Sequence, residues 1–105
     1  MPITDNDIIK NFFLGFIRLH VLYHASKGPV YGFWMIKELG RHGYNLSPGT
    51  LYPILHRMER DGFIFSEKEL IKGKWRRYYR ITDEGRQALS QSYYKIKELI
   101  NELNE

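Results

Sequence analysis

Apolar positions along this chain fall into four stretches with helical spacing and two short alternating runs. In the first stretch Ile8, Ile9, Phe12, Phe13, Leu14, Phe16, Ile17, Leu19, Val21, Leu22 and Tyr23 cover most of a helix circumference. The pattern predicts a helix over about Asp5–Ser26, with Thr4 and Asp7 as a capping pair and Gly28-Pro29 as the stop. A helix this apolar needs cover on two sides. Its own domain supplies one side, and a second copy of the chain is expected on the other. A second helix is expected over Tyr31–Arg41, with Tyr31, Trp34, Met35, Ile36 and Leu39 as its core face. In the third, Leu51, Ile54, Leu55 and Met58 recur at i, i+3, i+4 and i+7. Ser47 stands at its N-cap, Pro48 at its first position and Gly62 past its end. Pro53 inside that helix removes a backbone donor, so a 3₁₀-like first turn over Ser47–Thr50 and a slight bend are expected.

After the third helix the period changes to two. Strands are expected over Phe63–Leu70 and Lys74–Ile81, with Lys72-Gly73-Lys74 as a mobile tip between them. Tyr79 and Ile81 take the core face of the second strand, and Arg76, Tyr78 and Arg80 the outer face. Trp75 is expected to pack back on the sheet. A last helix starts after Thr82, with Asp83 and Glu84 in its acidic first turn. Its apolar seam is narrow: Leu89, Tyr93, Ile96, Leu99 or Ile100, and Leu103. Such a stripe suits pairing with another helix.

The fold expected from this order is mostly α with a small β-hairpin: a winged helix-turn-helix with N- and C-terminal dimerisation helices. Residues 1–81 form the winged-helix unit and residues 82–105 the C-terminal dimerisation helix. The dimer interface is expected to use Phe12, Phe16, Tyr23, Leu89, Tyr93, Ile96, Leu99, Ile100 and Leu103. Aromatic side chains between paired helices also suggest a slot for a flat apolar ligand, lined by Phe12, Phe16, Tyr93 and Tyr94.

Charge sharpens this picture. The net charge is +4 over 105 residues. Residues 64–81 carry six Lys/Arg against two Glu, while the flanking segments cancel one another. The excess therefore sits on one hairpin, which points to a polyanionic partner. A helix feeding a basic hairpin is how a winged helix grips DNA. The third helix presents Ser47, Thr50 and Tyr52 for phosphates or base edges, and His56 or Arg57 for bases. Lys72 and Lys74 flank the turn glycine and suit phosphates or the minor groove. Arg76 and Arg77 lie on opposite strand faces, so one of the two is expected to face DNA.

Other chemistry is sparse. There is no cysteine, which excludes disulfides and Cys-based zinc sites. No phosphate loop or catalytic triad motif is present, and no enzyme activity is expected. His20 and His24 stand i, i+4 on the first helix, a spacing suited to zinc, but the sequence suggests no third ligand. No metal and no cofactor are expected. Neither a secretion leader nor a membrane span is read, so a cytoplasmic location is expected.

The segments GTLYPILHRMERDGFI and RRYYRITDEGR, with YGFWMIKEL at Tyr31–Leu39, closely resemble the PadR family of bacterial transcriptional regulators. The resemblance spans about Leu22–Leu89, and the single C-terminal helix resembles the family's smaller subgroup. It implies a homodimer acting on double-stranded DNA as a repressor at a roughly palindromic operator, released by a small aromatic ligand. It carries DNA contact to Ser47, Thr50, Tyr52, Arg57, Lys74, Arg76, Arg77 and Tyr78. Trp75 lies outside the family pattern. Where some drug-binding relatives place interface tryptophans, Tyr93 and Tyr94 stand nearest. The alternative is a winged helix that assembles with other proteins and not with DNA, for which excess charge on the wing has no use.

Overall fold

The computed structural model describes residues 3–105, with side chains described from Asp7 onward. The elements run α1 (Ile3–Ser26), β1 (Val30–Tyr31), α2 (Gly32–Arg41), α3 (Pro48–Arg60), β2 (Ile64–Ile71), β3 (Lys74–Ile81) and α4 (Asp83–Leu103). α1 begins at Ile3, so Thr4 lies within the helix. Its side chain, and with it the expected capping pair, falls outside the described residues.

The three strands form one antiparallel sheet in the order β1-β3-β2. β2 and β3 pair from Ile64↔Ile81 to Ile71↔Lys74, leaving Lys72-Gly73 as a two-residue loop. Both loop residues have positive φ, 51° and 78°, as a type I′ hairpin turn requires. β1 was not expected from sequence. Two residues carry no period, and only their pairing with Tyr79 and Tyr78 of β3 makes them a strand.

One core joins all layers. Ile17, Val21, Leu22 and Ala25 of α1 meet Met35 and Leu39 of α2, Leu51, Leu55 and Met58 of α3, and Val30, Ile64, Tyr79 and Ile81 of the sheet. Each large side chain withdrawn this way contributes roughly 1.5–3 kcal/mol. Trp34 departs from expectation: it lies half-exposed, with its ring edge-on to His24 at 5.3 Å. Met35 and Leu39 already fill the inward face of the short α2, so Trp34 falls on the flank.

The turns that close α2 and α3 share one geometry. At the end of α2, Gly43 N–H donates to Gly40 C=O and Tyr44 N–H to Leu39 C=O. At the end of α3, Gly62 N–H donates to Glu59 C=O and Phe63 N–H to Met58 C=O. Gly43 (φ 89°) and Gly62 (φ 88°) supply the left-handed residue that each of these Schellman ends needs. At the start of α3, Ser47 C=O accepts from both Thr50 and Leu51 N–H, each at 3.0 Å, the tightened first turn expected ahead of Pro53. The helix then runs unbroken to Arg60. The Ser47 side chain makes no cap bond and lies 3.3 Å from Thr50 Oγ1. At α4 the Thr82 hydroxyl oxygen accepts from Gly85 N–H at 3.0 Å and its proton goes to Gly62 C=O at 2.6 Å. That ties the helix start to the hairpin entry.

Among the described residues, none of the helices is long and apolar enough to cross a membrane. The molecule extends 54 Å along its longest axis. α4, at 21 residues, is about 30 Å long and accounts for much of that span. Its outer half leaves Leu99, Ile100 and Leu103 exposed, as Ile8, Ile9, Phe12 and Phe13 are on α1.

Candidate nucleic-acid interface

The outward face of α3 is as the periodicity predicts. Thr50, Pro53, His56, Arg57 and Arg60 are exposed while Leu51, Leu55 and Met58 are buried beneath them. Tyr52 sits lower on the flank. Its ring packs over Gly32 at the start of α2, where a Cβ would lie 2.6 Å from its hydroxyl oxygen. Gly32 thus makes room for Tyr52, and the phenol is partly covered as it reaches the surface.

The wing divides its charges between two faces. On one face Arg76, Tyr78 and Arg80 stand with Glu69 and Glu67. Arg80 Nε donates to Glu67 Oε1 at 3.0 Å, and Arg76 lies over the Tyr31 ring at 5.7 Å. On the other face Arg77 sits across from Lys68, with Ser66 next along. Here Glu59 of α3 accepts from Ser66 N–H at 3.1 Å and Ser66 Oγ at 2.8 Å, and Arg77 donates to Ser66 Oγ at 2.8 Å. The hairpin is therefore docked on α3 through its Arg77 face. Lys68 and Arg77 share the α3-facing side, and Lys72 and Lys74 add positive charge at the hairpin tip. The strand alternation was enough to add Lys68 to the expected residues.

Two side chains on the wing differ from expectation. Tyr78 is buried, at 9% exposure, because β1 covers it: its ring meets Tyr31 edge-on at 5.8 Å. Its hydroxyl donates to Glu69 at 3.0 Å, and that bond, ahead of the opposing one from Arg80, raises its pKa. Tyr78 thus supports the wing from behind instead of lying on its outer face. Trp75 does not pack on the sheet. It is 69% exposed, opposite Leu70 near the hairpin tip, on the same face as Arg77.

Of the expected interface residues on α1 and α4, Phe16, Tyr23, Leu89, Tyr93 and Ile96 line one apolar groove of about 320 Å³ between the two helices. Phe12 borders the adjoining groove, stacked on Phe16 at 5.5 Å. Tyr94 is exposed and meets Tyr93 edge-on at 5.6 Å, but borders neither groove. Leu99, Ile100 and Leu103 continue the stripe into solvent.

The groove ends at a cluster of histidines. His20 and His24 of α1 are joined by His42, the C-cap of α2, with ligand atoms of all three within 4.8 Å of one another. A third imidazole is thus present where the sequence suggested none. Glu38, one turn before His42, places Oε2 3.3 Å from His42 Nε2 and 3.7 Å from His24 Nε2. The signal existed in the sequence, because Glu38 and His42 repeat the i, i+4 spacing of His20 and His24. Burial first, then the neighbouring His42 and His24, holds His20 below the ordinary imidazole pKa against the pull of Glu38. Burial likewise lowers His24, reinforced by His42 and Arg41 and opposed by Glu38. Partial burial works against charge on Glu38. Arg41, donating at 2.8 Å, and His42 outweigh it and bring the carboxyl below its usual value.

A family model described as "Transcriptional regulator PadR-like family" matches residues 21–91. The chain is 46% identical over 95 residues to the transcriptional regulator Rv3488 of Mycobacterium tuberculosis, covering 90% of this chain and 89% of that protein. A PadR family regulator from Eggerthella lenta superposes with TM-score 0.73 at 30% identity, over 97% of this chain and 94% of that one. A PadR-like transcription factor from Bacteroides fragilis gives TM-score 0.81 at 27% identity, over 93% and 96%.

Proposed function

Because the chain belongs to the PadR-like family of transcriptional regulators, whose members bind DNA and are not enzymes, we propose that it acts as a cytoplasmic, dimeric repressor on a roughly palindromic operator. The observation that carries this reading is the basic wing, whose Lys68–Arg77 face is docked on α3 by the Glu59–Ser66–Arg77 bonds and whose tip carries Lys72 and Lys74. Residues Ser47, Thr50, His56 and Arg57 then enter a major groove, and the wing follows the phosphates. Tyr52 contributes from the flank, and Tyr78 acts by holding the wing.

The dimer would use the apolar faces that α1 and α4 leave exposed, with residues 82–105 as the main dimerisation element on the 1–81 unit. Its two recognition helices would lie about one DNA turn, ~34 Å, apart. The apolar groove between α1 and α4 falls in the size range of small-molecule sites. Its aromatic walls, Phe16, Tyr23 and Tyr93, suit a flat aromatic effector that releases DNA by altering the dimer.

Fluorescence anisotropy on the chain's own promoter fragment and on random duplex, across a salt series, tests the reading. Promoter-preferring binding that weakens steeply with salt is expected. The exposed Leu70–Trp75 pair on the wing favours a second reading, a winged helix that docks on protein. Weak binding of equal strength on both duplexes would select it.

A further inference from the structure

The geometry points to a binding site for a late first-row divalent cation such as Zn²⁺, formed by His20, His24 and His42 with Glu38 beside them, that ties α1 to α2. Three imidazoles are a donor set suited to that class of ion, and Glu38 Oε2, 3.3 Å from His42 Nε2 and 3.7 Å from His24 Nε2, stands beside them. Three features argue for a cation over a chance cluster. The donors come as two i, i+4 pairs on two helices, one on α1 and one at the end of α2. His42 is fixed at the α2 C-cap by the bonds that Gly43 and Tyr44 make back into the helix. His24 Nε2 is buried with no hydrogen-bond partner among the described residues, and points to the same side as Glu38 Oε2.

Arg41 occupies Glu38 Oε1 and leaves Oε2 facing the imidazoles. Tetrahedral ligation at 2.0–2.1 Å puts donors ~3.3 Å apart. The three rings, whose ligand atoms lie within 4.8 Å of one another, would have to rotate inward to close on the ion. Phe16 and Tyr44 stand edge-on to His20 at 5.1 and 5.8 Å, and Trp34 to His24, so an aromatic wall surrounds the donors.

A bound cation would fix the angle between α1, which carries the proposed dimer face, and α2, which packs on α3. It would thereby set the spacing of the two recognition helices. This consequence rests on the DNA-binding reading, whereas the site itself does not.

The test begins without DNA. Purified full-length chain, freed of metal by chelator, is titrated with Zn²⁺ against a chromophoric chelator and, separately, with Co²⁺ followed by visible absorption. One equivalent per chain, intense tetrahedral Co²⁺ bands and a raised thermal midpoint are expected. His42→Ala and His20→Ala should each weaken Zn²⁺ binding tenfold or more, and Glu38→Gln should do so less steeply. Glu98→Gln, exposed on α4, should bind Zn²⁺ as the wild type does. Circular dichroism confirms that each variant is folded, and two independent histidine variants guard against one failing. No Zn²⁺ binding by the wild type, or equal binding by folded His20→Ala and His42→Ala, overturns the site. Promoter affinity is then compared with Zn²⁺ and with chelator, where a difference of about fivefold or more is expected. Equal affinity overturns the regulatory consequence. An absence of promoter binding under both conditions sinks the DNA reading and leaves the metal result standing.

Discussion

Gly85 in the first turn of α4 lies directly against the carbonyl oxygen of Phe63 at the entry to the wing. A Cβ on Gly85 would overlap that oxygen and stand 2.7 Å from Ile81 Cγ1. The obstacle is backbone, which no side-chain rotation relieves. Gly85→Ala should therefore destabilise the fold by roughly 1–3 kcal/mol, as overpacking does. Gly40→Ala, near the end of α2 with open space at its Cβ, should stabilise by about 0.5–1 kcal/mol. Urea denaturation of the two variants beside the wild type checks the contrast; equal midpoints would disprove the close approach.

Tyr79 is the largest fully buried side chain, and its hydroxyl has no hydrogen-bond partner among the described residues. Tyr79→Phe removes an unsatisfied polar atom, so it should be neutral or stabilising by up to ~1 kcal/mol at pH 7. Burial raises the phenol's pKa in the folded chain. The folded state thus keeps a proton that the unfolded state loses above about pH 10. The associated stability is complete below that pH and is lost as pH rises toward and through the raised folded value. Denaturant midpoints at pH 7 and pH 10.5 should show the wild type falling further than Tyr79→Phe. Parallel declines would mean that the hydroxyl is solvated.

The two wing arginines should behave differently although they are adjacent. Arg77 lies on the α3 side, whereas Arg76 covers Tyr31 on the face with the glutamates. Arg77→Ala should weaken DNA binding and lower the salt slope by about one unit. Arg76→Ala should change it by less. Arg57→Ala should cost about 1–3 kcal/mol on the preferred sequence and little on random duplex. Anisotropy with both duplexes reads all three variants. Arg76→Ala proving the more damaging would reverse the assignment of wing faces.

Ile96 and Leu99 are exposed on α4 within the stripe proposed for the dimer. Changing both to Glu should give a particle near the chain mass of 12.6 kDa by sedimentation equilibrium, where the wild type should give twice that. The variant should also lose promoter binding, because each half-site contact is then made alone. A wild type that sediments as a monomer at tens of micromolar would remove the dimer.

The sequence by itself determined whatever depends on neighbours three or four residues away. Helix periods placed α1 to α4, Gly43 and Gly62 marked two helix ends, and Lys72-Gly73-Lys74 marked the turn between alternating runs. The outward face of α3, with His56 and Arg57, followed from 3.6 residues per turn, and the basic hairpin followed from counting charge. These features are local: a backbone conformation or a period is written in consecutive residues.

Tertiary structure decided what required two distant segments to meet. Tyr78 was read as outward because strand alternation is blind to β1, whose two residues become a strand only through β3. Trp34 and Trp75 were read as packed on apolar character alone, yet Met35, Leu39 and Tyr79 had already filled the available core. The sequence suggests no third ligand beside His20 and His24 because His42 belongs to a different helix. The packing of α2 on α1 sets it beside His20 and His24, with Glu38 between. Contacts between chain segments depend on the packing of whole elements, and no local period encodes them.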